Sequence, residues 1–441
     1  MHARCFVAGY AAAAAFPTPH ARGLIARGQC GRFLDSIDLA AAALGEGRLV
    51  AFPTETVYGL GAHAFDAAAV ARIFAVKGRP KSDPLIVHVP SAAVAEPLVM
   101  LDDAGRELMH QLMADFWPGP LTLVAPACPT LPPIVTAGTG FVGVRCPAHR
   151  RAVELLQAAG VPVAAPSANR FGHVSPTRPE HVMDDLGDHP ILVLRPEPGD
   201  PPCDVGIEST VLKLDSANRE LLLLRRGGVP EAELKRWHAD QADTDYGFRV
   251  LPQPFGAPLP LTLPPEATVV DAPSEQPLMV APGMLLTHYA PDLPCFVLDD
   301  PLVADAAAAS ELQPPLLSLT VDEAVVLDFG ARLAHLKTAA LAYRDLSPRG
   351  NASEAARAIF AALRWAEGHV ADGARCVLLP NVEMADGTGS ACDTGTGTGA
   401  GEEHAPALAD RLFRAASGRS AWVAGAAVIV AKCASGSHSN R

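Results

Sequence analysis

The stretch LVAFPTETVYGLG (residues 49–61) decides the fold. Its first four residues are a short apolar run closed by a proline, the pattern of a buried strand. The character then changes. Thr54, Glu55, Thr56 and Tyr58 sit among Pro53, Gly59 and Gly61, which reads as a loop rich in hydrogen-bonding groups and poor in bulk. AAAVARIFAVKGRP (67–80) follows, with Val70, Ile73, Phe74 and Lys77 at spacings of three and four. That period predicts a helix, stopped by Gly78 and Pro80. PLIVHV (84–89) reads as a second strand. Lys77, Arg79 and Lys81, with Thr54 and Thr56 nearby, suit a phosphate-bearing ligand at the strand ends of an α/β sheet.

The same alternation continues outward. DLAAAALGEG (38–47) and the region 104–115 read as helices, LTLVAP (121–126) as a strand, and residues 150–159 as a helix before VPVAAPSAN. ILVLR (191–195), ESTVLKL (208–214) and LLLLRRGG (221–228) read as strands, the last two close enough for a hairpin. Eleven prolines between positions 252 and 294 exclude regular structure there and mark a linker, interrupted by APGMLLTHYAP (281–291). Beyond it, CFVLDD (295–300), AVVLDF (324–329) and CVLLP (376–380) read as strands. ARLAHLKTAALAYRDL (331–346), EAARAIFAALRWAE (354–367) and ALADRLFRAAS (407–417) read as helices. GTGSACDTGTGTGAGEE (387–403) is low-complexity and reads as a mobile loop. The class is therefore α/β, in two domains.

Bulk composition narrows the function. The 441 residues carry a net charge of −13, which argues against a protein whose main task is coating nucleic acid. Hydrophobic residues make up 49% of the chain, enough for a sizeable core. Nine scattered cysteines include no CxxC pair, so neither a zinc site nor a disulfide scaffold is indicated, and reduced cytosolic thiols are the simpler reading. Arg4 followed by CFVAGYAAAAAF has the outline of a signal peptide, against the alternative of an Ala-rich extension over residues 1–33 that is expected to be disordered. There is no GxxxxGK[ST], GxSxG, HExxH or DxDxDG, so neither a P-loop nor covalent catalysis through serine is suggested.

Several single residues stand out. Arg145 lies in the apolar run VGVRCPAH, where burying a guanidinium is costly unless an anion pairs with it, either the protein's own or a substrate's. His88 is the one polar residue in LIVHV; strand alternation puts it on one face with Ile86. Lys77 and Arg79 could serve a polyphosphate or merely cap a helix C-terminus. Thr54 could contact a ligand or hold a turn.

PTETVYGLG, KGRP with PLIVH, APSAN and GIEST together resemble the YrdC family in its long, two-domain form, densely from about residue 35 to 291 and thinly beyond. The resemblance implies a YrdC-like twisted open sheet with a large concave cavity over residues 34–250, a lid-bearing linker over 251–291 and a smaller Rossmann-like α/β domain over 292–441. It also implies threonylcarbamoyl-adenylate synthesis from L-threonine, bicarbonate and ATP, in the cytoplasm and away from membranes. The product would pass to a transferase complex acting on adenosine 37 of tRNA. By resemblance, Thr54, His88, Arg145, Ala165 and Ser209 face threonine. Lys77, Asp83, Thr136, Ser167, Ser175, Arg225 and Tyr289 face ATP, and Lys77, Arg79 and Arg145 carry catalysis by neutralising charge. A cation ~4 Å from a phosphate oxygen is worth about 4 kcal/mol at an effective dielectric near 20. Tyr289, in the HYAP segment, would form part of a lid that excludes water. No protein metal site is indicated; Mg²⁺ would arrive on the ATP phosphates. Asp83 stands where many relatives carry Asn, and is expected to help hold that ion directly or through water.

Two other readings remain from the sequence. One is an RNA-binding module of the same fold, which would bind tRNA tightly and salt-dependently without ATP. The other is a carbamoyl-transfer component of hydrogenase maturation, which would carry zinc-finger cysteine pairs ahead of the domain; they are absent here.

Overall fold

The computed structural model describes residues 30–201, 203–241, 244–251, 289–298, 319–382, 403–424 and 426–430. Most of the N-terminal extension, the linker up to residue 288 and nearly all of the Gly/Thr-rich segment lie outside the described residues, and the readings made for them stand outside it too.

The first sheet and its helices run in the order β1 (Arg32–Leu34), α1 (Ile37–Gly45), β2 (Leu49–Phe52), β3 (Gly59–His63), α2 (Ala67–Lys77), β4 (Ile86–His88), α3 (Ala92–Ala95), α4 (Asp103–Phe116) and β5 (Leu121–Pro126). They continue with β6 (Phe141–Arg145), α5 (Arg150–Ala159), β7 (Val163–Ala164), α6 (Pro179–Leu186), β8 (Ile191–Leu194), β9 (Thr210–Asp215), β10 (Glu220–Arg225), α7 (Glu231–Asp240) and β11 (Gly247–Val250). These eleven strands form one mixed sheet ordered β1-β8-β2-β3-β7-β4-β6-β5-β9-β10-β11. The β9–β10 hairpin expected from the sequence is present, antiparallel, with Leu221 opposite Leu214.

Alternation on β2 shows how the sheet is covered. Leu49 and Ala51 join the core shared with Val70, Ile73 and Phe74 of α2, while Val50 and Phe52 join the core beneath α1 and α5. Helix α2 forms because Asp66 caps it, accepting from Ala68 and Ala69 N–H at 2.9 and 3.0 Å, and because its apolar face recurs at helical spacing. Residue 78 ends it, donating its N–H to the Phe74 carbonyl.

One expectation fails at β3. The end of the polar loop, Gly59 to Gly61, is a strand, paired antiparallel to β2 and onward to β7. Glycine is poor in strands, but here its missing Cβ is required: one at Gly61 would lie 2.8 Å from the Val163 side chain and 2.9 Å from the Phe52 ring.

The second sheet contains β12 (Cys295–Leu298), β13 (Leu319–Thr320), β14 (Ala324–Asp328), β15 (Ala342–Asp345), then α8 (Ala352–Glu367), β16 (Cys376–Pro380), α9 (Ala405–Ala415), β17 (Ser420–Ala424) and β18 (Ala427–Val430), ordered β13-β18-β17-β12-β16-β14-β15. From β17 to β15 the strands are parallel. A second expectation fails here: residues 331–346 are not a helix but a short 3₁₀ turn followed by strand β15. Tertiary contacts override local propensity. Asp345 accepts N–H bonds from Gly330, Ala331 and Ser347, and the Tyr343 hydroxyl donates to the buried Asp328 carboxylate at 2.6 Å, fixing the segment against β14.

The two sheets meet through apolar and ionic contacts. Val57, Val174 and Ile207 of the first share a core with Ile359 and Phe360 of α8. Gly206, at φ +71°, lies against α8 so closely that a Cβ would fall 2.4 Å from the Arg357 Cα. His173 bridges the halves, bonding Asp185 through Nδ1 and Glu367 through Nε2, each at 2.9 Å. Arg364 also reaches Asp185 at 2.9 Å. Burial alone would push His173 down, but its bonds to Asp185 and Glu367 reverse this and raise it to about 9.

A histidine raised in the folded state stabilises fully below its unfolded value of 6.5. That contribution is lost as pH rises through about 9. Thermal unfolding followed from pH 6 to 10 should therefore show a decline above pH 6.5 that His173→Gln flattens, with the variant about 1–3 kcal/mol less stable at the low end.

Candidate active site

The polar loop after β2 is a hydrogen-bonded turn. The Thr54 hydroxyl donates to the Val57 carbonyl at 2.6 Å and accepts from the N–H groups of Thr56 and Val57, both at 3.2 Å. The turn reading of Thr54 therefore holds, and the same turn places Thr54 and Thr56 on a cavity wall. Glu55 points the other way, meeting Arg145 at 2.7 Å beneath the site. Of the two anions left open for Arg145, the structure supplies the protein's own. His88 is Arg145's direct partner across β4 and β6. Burial first, then the Arg145 charge, pushes His88 down to about 3, so it is a neutral imidazole at physiological pH.

The C-terminus of α2 supplies two cations with different fates. Arg79 reaches the cavity wall while bonding the carbonyls of Asp83 and Pro84 at 3.1 and 2.8 Å and the Asp83 carboxylate at 2.8 Å. Lys77 lies behind the wall, donating to the carbonyls of Ser167 (2.7 Å) and Asn169. Burial, reinforced by the Arg79 charge, pushes its ammonium well below the usual lysine range. Through these bonds it pins the APSAN segment, whose Ala165, Pro166 and Ser167 line the cavity.

On the opposite side, Ser209 shares a 2.8 Å hydrogen bond with Thr122, and Arg225 donates to the Ser209 carbonyl and hydroxyl at 3.0 and 3.1 Å. Glu208 accepts from the Ser175 hydroxyl at 2.6 Å. Tyr289 closes this side, buried, at φ +66°, its ring 5.4 Å from that of Phe360.

The resulting cavity is narrow and partly open to solvent. Of the residues expected from the sequence, Thr54, Arg79, His88, Arg145, Ala165, Ser167, Ser209, Arg225 and Tyr289 are brought together on its wall. Lys77, Asp83, Thr136 and Ser175 are not; all four are buried outside its lining, and Thr136 donates its hydroxyl to the Pro133 carbonyl at 3.1 Å. Glu55, Glu208 and, from the second sheet, Arg411 were missed. The signals existed. A buried Arg145 demands a carboxylate, and Arg411 falls on the apolar face of ALADRLFRAAS with Leu408, Leu412 and Ala415.

The fold and cavity together define a two-domain α/β protein whose cleft is built on the first sheet and closed on one side by Tyr289 from the end of the linker. The family model of Sua5, YciO and YrdC proteins, described as telomere recombination, matches residues 42–227, and that of the C-terminal domain of threonylcarbamoyl-AMP synthase matches 261–417. The chain is 39% identical over 265 residues to threonylcarbamoyl-AMP synthase of Pyrococcus abyssi, covering 60% of this chain and 68% of that one. It is also 39% identical over 265 residues to the Bacillus subtilis protein of the same name, covering 59% and 66%. The crystal structure of P. abyssi Sua5 complexed with L-threonine superposes with a TM-score of 0.63 at 31% identity, covering 88% of this chain and 97% of that one. The chain belongs to the YrdC/Sua5 family, in its long, two-domain form.

The Glu55–Arg145 pair yields a stability prediction. Glu55→Ala should cost about 3–5 kcal/mol in denaturant unfolding, because it strands a buried guanidinium. The double variant Glu55→Ala/Arg145→Met should recover part of that loss.

Proposed function

We infer that the chain is a threonylcarbamoyl-AMP synthase, a nucleotidyltransferase that makes L-threonylcarbamoyladenylate and pyrophosphate from L-threonine, bicarbonate or CO₂, and ATP. The observation that carries this reading is the set of guanidiniums on the cavity wall, Arg79, Arg145 and Arg225, the first two held in place by the buried carboxylates Asp83 and Glu55. Such a wall presents preorganised N–H donors to the oxygens of an anionic ligand.

The threonine amine captures CO₂ to give a carbamate. The carbamate oxygen then attacks the α-phosphorus of ATP, forming the mixed anhydride as the bond to pyrophosphate breaks. No protein nucleophile is needed, so positioning and charge neutralisation supply the rate. Arg145 and neutral His88, beside Thr54 and Ser209, suit the amino acid. Arg225 and Arg79 suit the phosphates, and Tyr289 restricts water, which would hydrolyse both the carbamate and the anhydride.

Mg²⁺ fits this site only as part of MgATP. Glu55, Asp83 and Glu208 are each paired with an arginine, Arg145, Arg79 and Arg411, at 2.7, 2.8 and 2.9 Å, which disfavours their use as ligands to a resident ion. Asp83 is buried behind Arg79, so its task is to hold that guanidinium rather than to bind metal directly. The downstream partner would be a tRNA threonylcarbamoyl transferase system, in the cytoplasm. No helix among the described residues is long and apolar enough to cross a membrane.

Pyrophosphate release should require L-threonine, ATP, Mg²⁺ and bicarbonate together, with serine and valine far poorer. Release independent of threonine, or salt-sensitive tRNA binding with no turnover, would overturn the assignment in favour of an RNA-binding module. Arg145→Ala and Arg225→Ala should each lower turnover by on the order of 10²-fold while thermal unfolding still shows a cooperative fold.

A further inference from the structure

We propose that Arg411, on the second domain's helix α9, is a positioning residue for ATP, and that the second domain thereby forms a working part of the catalytic cavity; this rests on the adenylation reading above. Arg411 is fully buried although it does not itself line the cavity. Its Nε donates to Glu208 Oε2 at 2.9 Å and its Nη2 to the Arg226 carbonyl at 3.0 Å, while Nη1 meets Asp410 at 2.6 Å. Its guanidinium carbon lies 5.1 Å from the centroid of the Tyr289 ring.

The contacts to Glu208, Arg226 and Tyr289 each lead to the cavity wall, while Asp410 anchors the guanidinium to its own helix. Glu208 and Arg226 are the chain neighbours of Ser209 and Arg225, which bond one another across the cavity side. One planar fork therefore clamps both segments at once, in the geometry for which arginine is suited and lysine is not. The second oxygen of Glu208 takes the Ser175 hydroxyl at 2.6 Å, so the clamp reaches a third segment. The charge also matters. Glu208 faces a cavity proposed to receive a polyphosphate, and a carboxylate there repels the ligand unless a cation offsets it. Arg411 supplies that cation from outside the cavity without occupying the phosphate space. Neighbouring contacts hold α9 in place: His404 Nε2 lies 3.1 Å from the Gly228 carbonyl, and Glu403 meets Arg236 at 2.7 Å.

The test compares the full-length wild type, Arg411→Met, Arg411→Lys and Arg411→Met/Glu208→Gln, measuring MgATP affinity by direct titration alongside the KM values for ATP and threonine. Removing one partner of a buried charge pair leaves the other uncompensated, so Arg411→Met should weaken ATP binding by about tenfold or more, with the threonine KM within about twofold. The double variant removes the stranded charge and should recover most of that loss. Arg411→Lys should fall between wild type and Met, because it keeps the charge and loses the fork. Unchanged ATP affinity in Arg411→Met would overturn the proposal. So would equal losses for ATP and threonine, or a double variant no better than the single, since either marks a merely structural residue. If Arg411→Met does not fold, Arg411→Lys decides by the same split between ATP and threonine. A wild type that binds ATP but releases no pyrophosphate would sink the adenylation reading, while an Arg411-dependent ATP affinity would still uphold the clamp.

Discussion

A guanidinium can be buried under a ligand cavity only if something holds it there, and the site depends on how this chain meets that requirement. Arg145 sits on a strand whose other side chains are apolar, and Glu55 reaches under the PTETV turn to meet it. That one bond ties the turn carrying Thr54 to the central strands, so the charge and the shape of the wall are set together. Arg79 with Asp83, and Arg411 with Glu208, repeat the arrangement at two other points. Breaking such a pair on one side is costly, while the pair as a whole adds little net stability. The pairs are therefore best understood as fixing positions. What they leave facing inward are guanidinium groups fixed in place before a ligand arrives, so no reorganisation is needed to meet an anion.

Much of this was legible in the sequence because local rules and global fold agree there. Helix α2, its stop and strand β4 were readable from the period of Val70, Ile73 and Phe74, from the glycine and from the apolar run. The hairpin of β9 and β10 followed from proximity. Failures came where tertiary contacts override local preference. Gly59 to Gly61 looks like loop because glycine disfavours strands, yet the Phe52 and Val163 side chains need that space. Residues 331–346 carry a helical composition, but Asp345 and the Tyr343–Asp328 bond hold them as turn and strand.

The site divides in the same way. Residues whose chemistry is odd for their surroundings, such as Arg145 and His88, announce themselves. Lys77 was equally conspicuous, but only geometry shows that its ammonium is occupied by the Ser167 and Asn169 carbonyls. Glu208 and Arg411 are separated by about two hundred positions, and no local pattern in the sequence links them; a long-range pair of this kind is visible only once the domains are docked.

The placement of Tyr289 and Arg411 bears on how the protein comes to exist in the cell. Domains generally fold as units, N-terminal first, as the chain leaves the ribosome. The eleven-stranded sheet has all its strands by residue 250, yet one wall of its cavity and the clamp behind that wall are encoded only at positions 289 and 411. During the interval a nascent chain carries a folded first domain with an incomplete cleft and with Val57, Val174 and Ile207 uncovered. Completion of synthesis thus becomes the step that covers this apolar surface and brings Tyr289 to the cavity wall, so a prematurely terminated chain is left with an exposed hydrophobic patch.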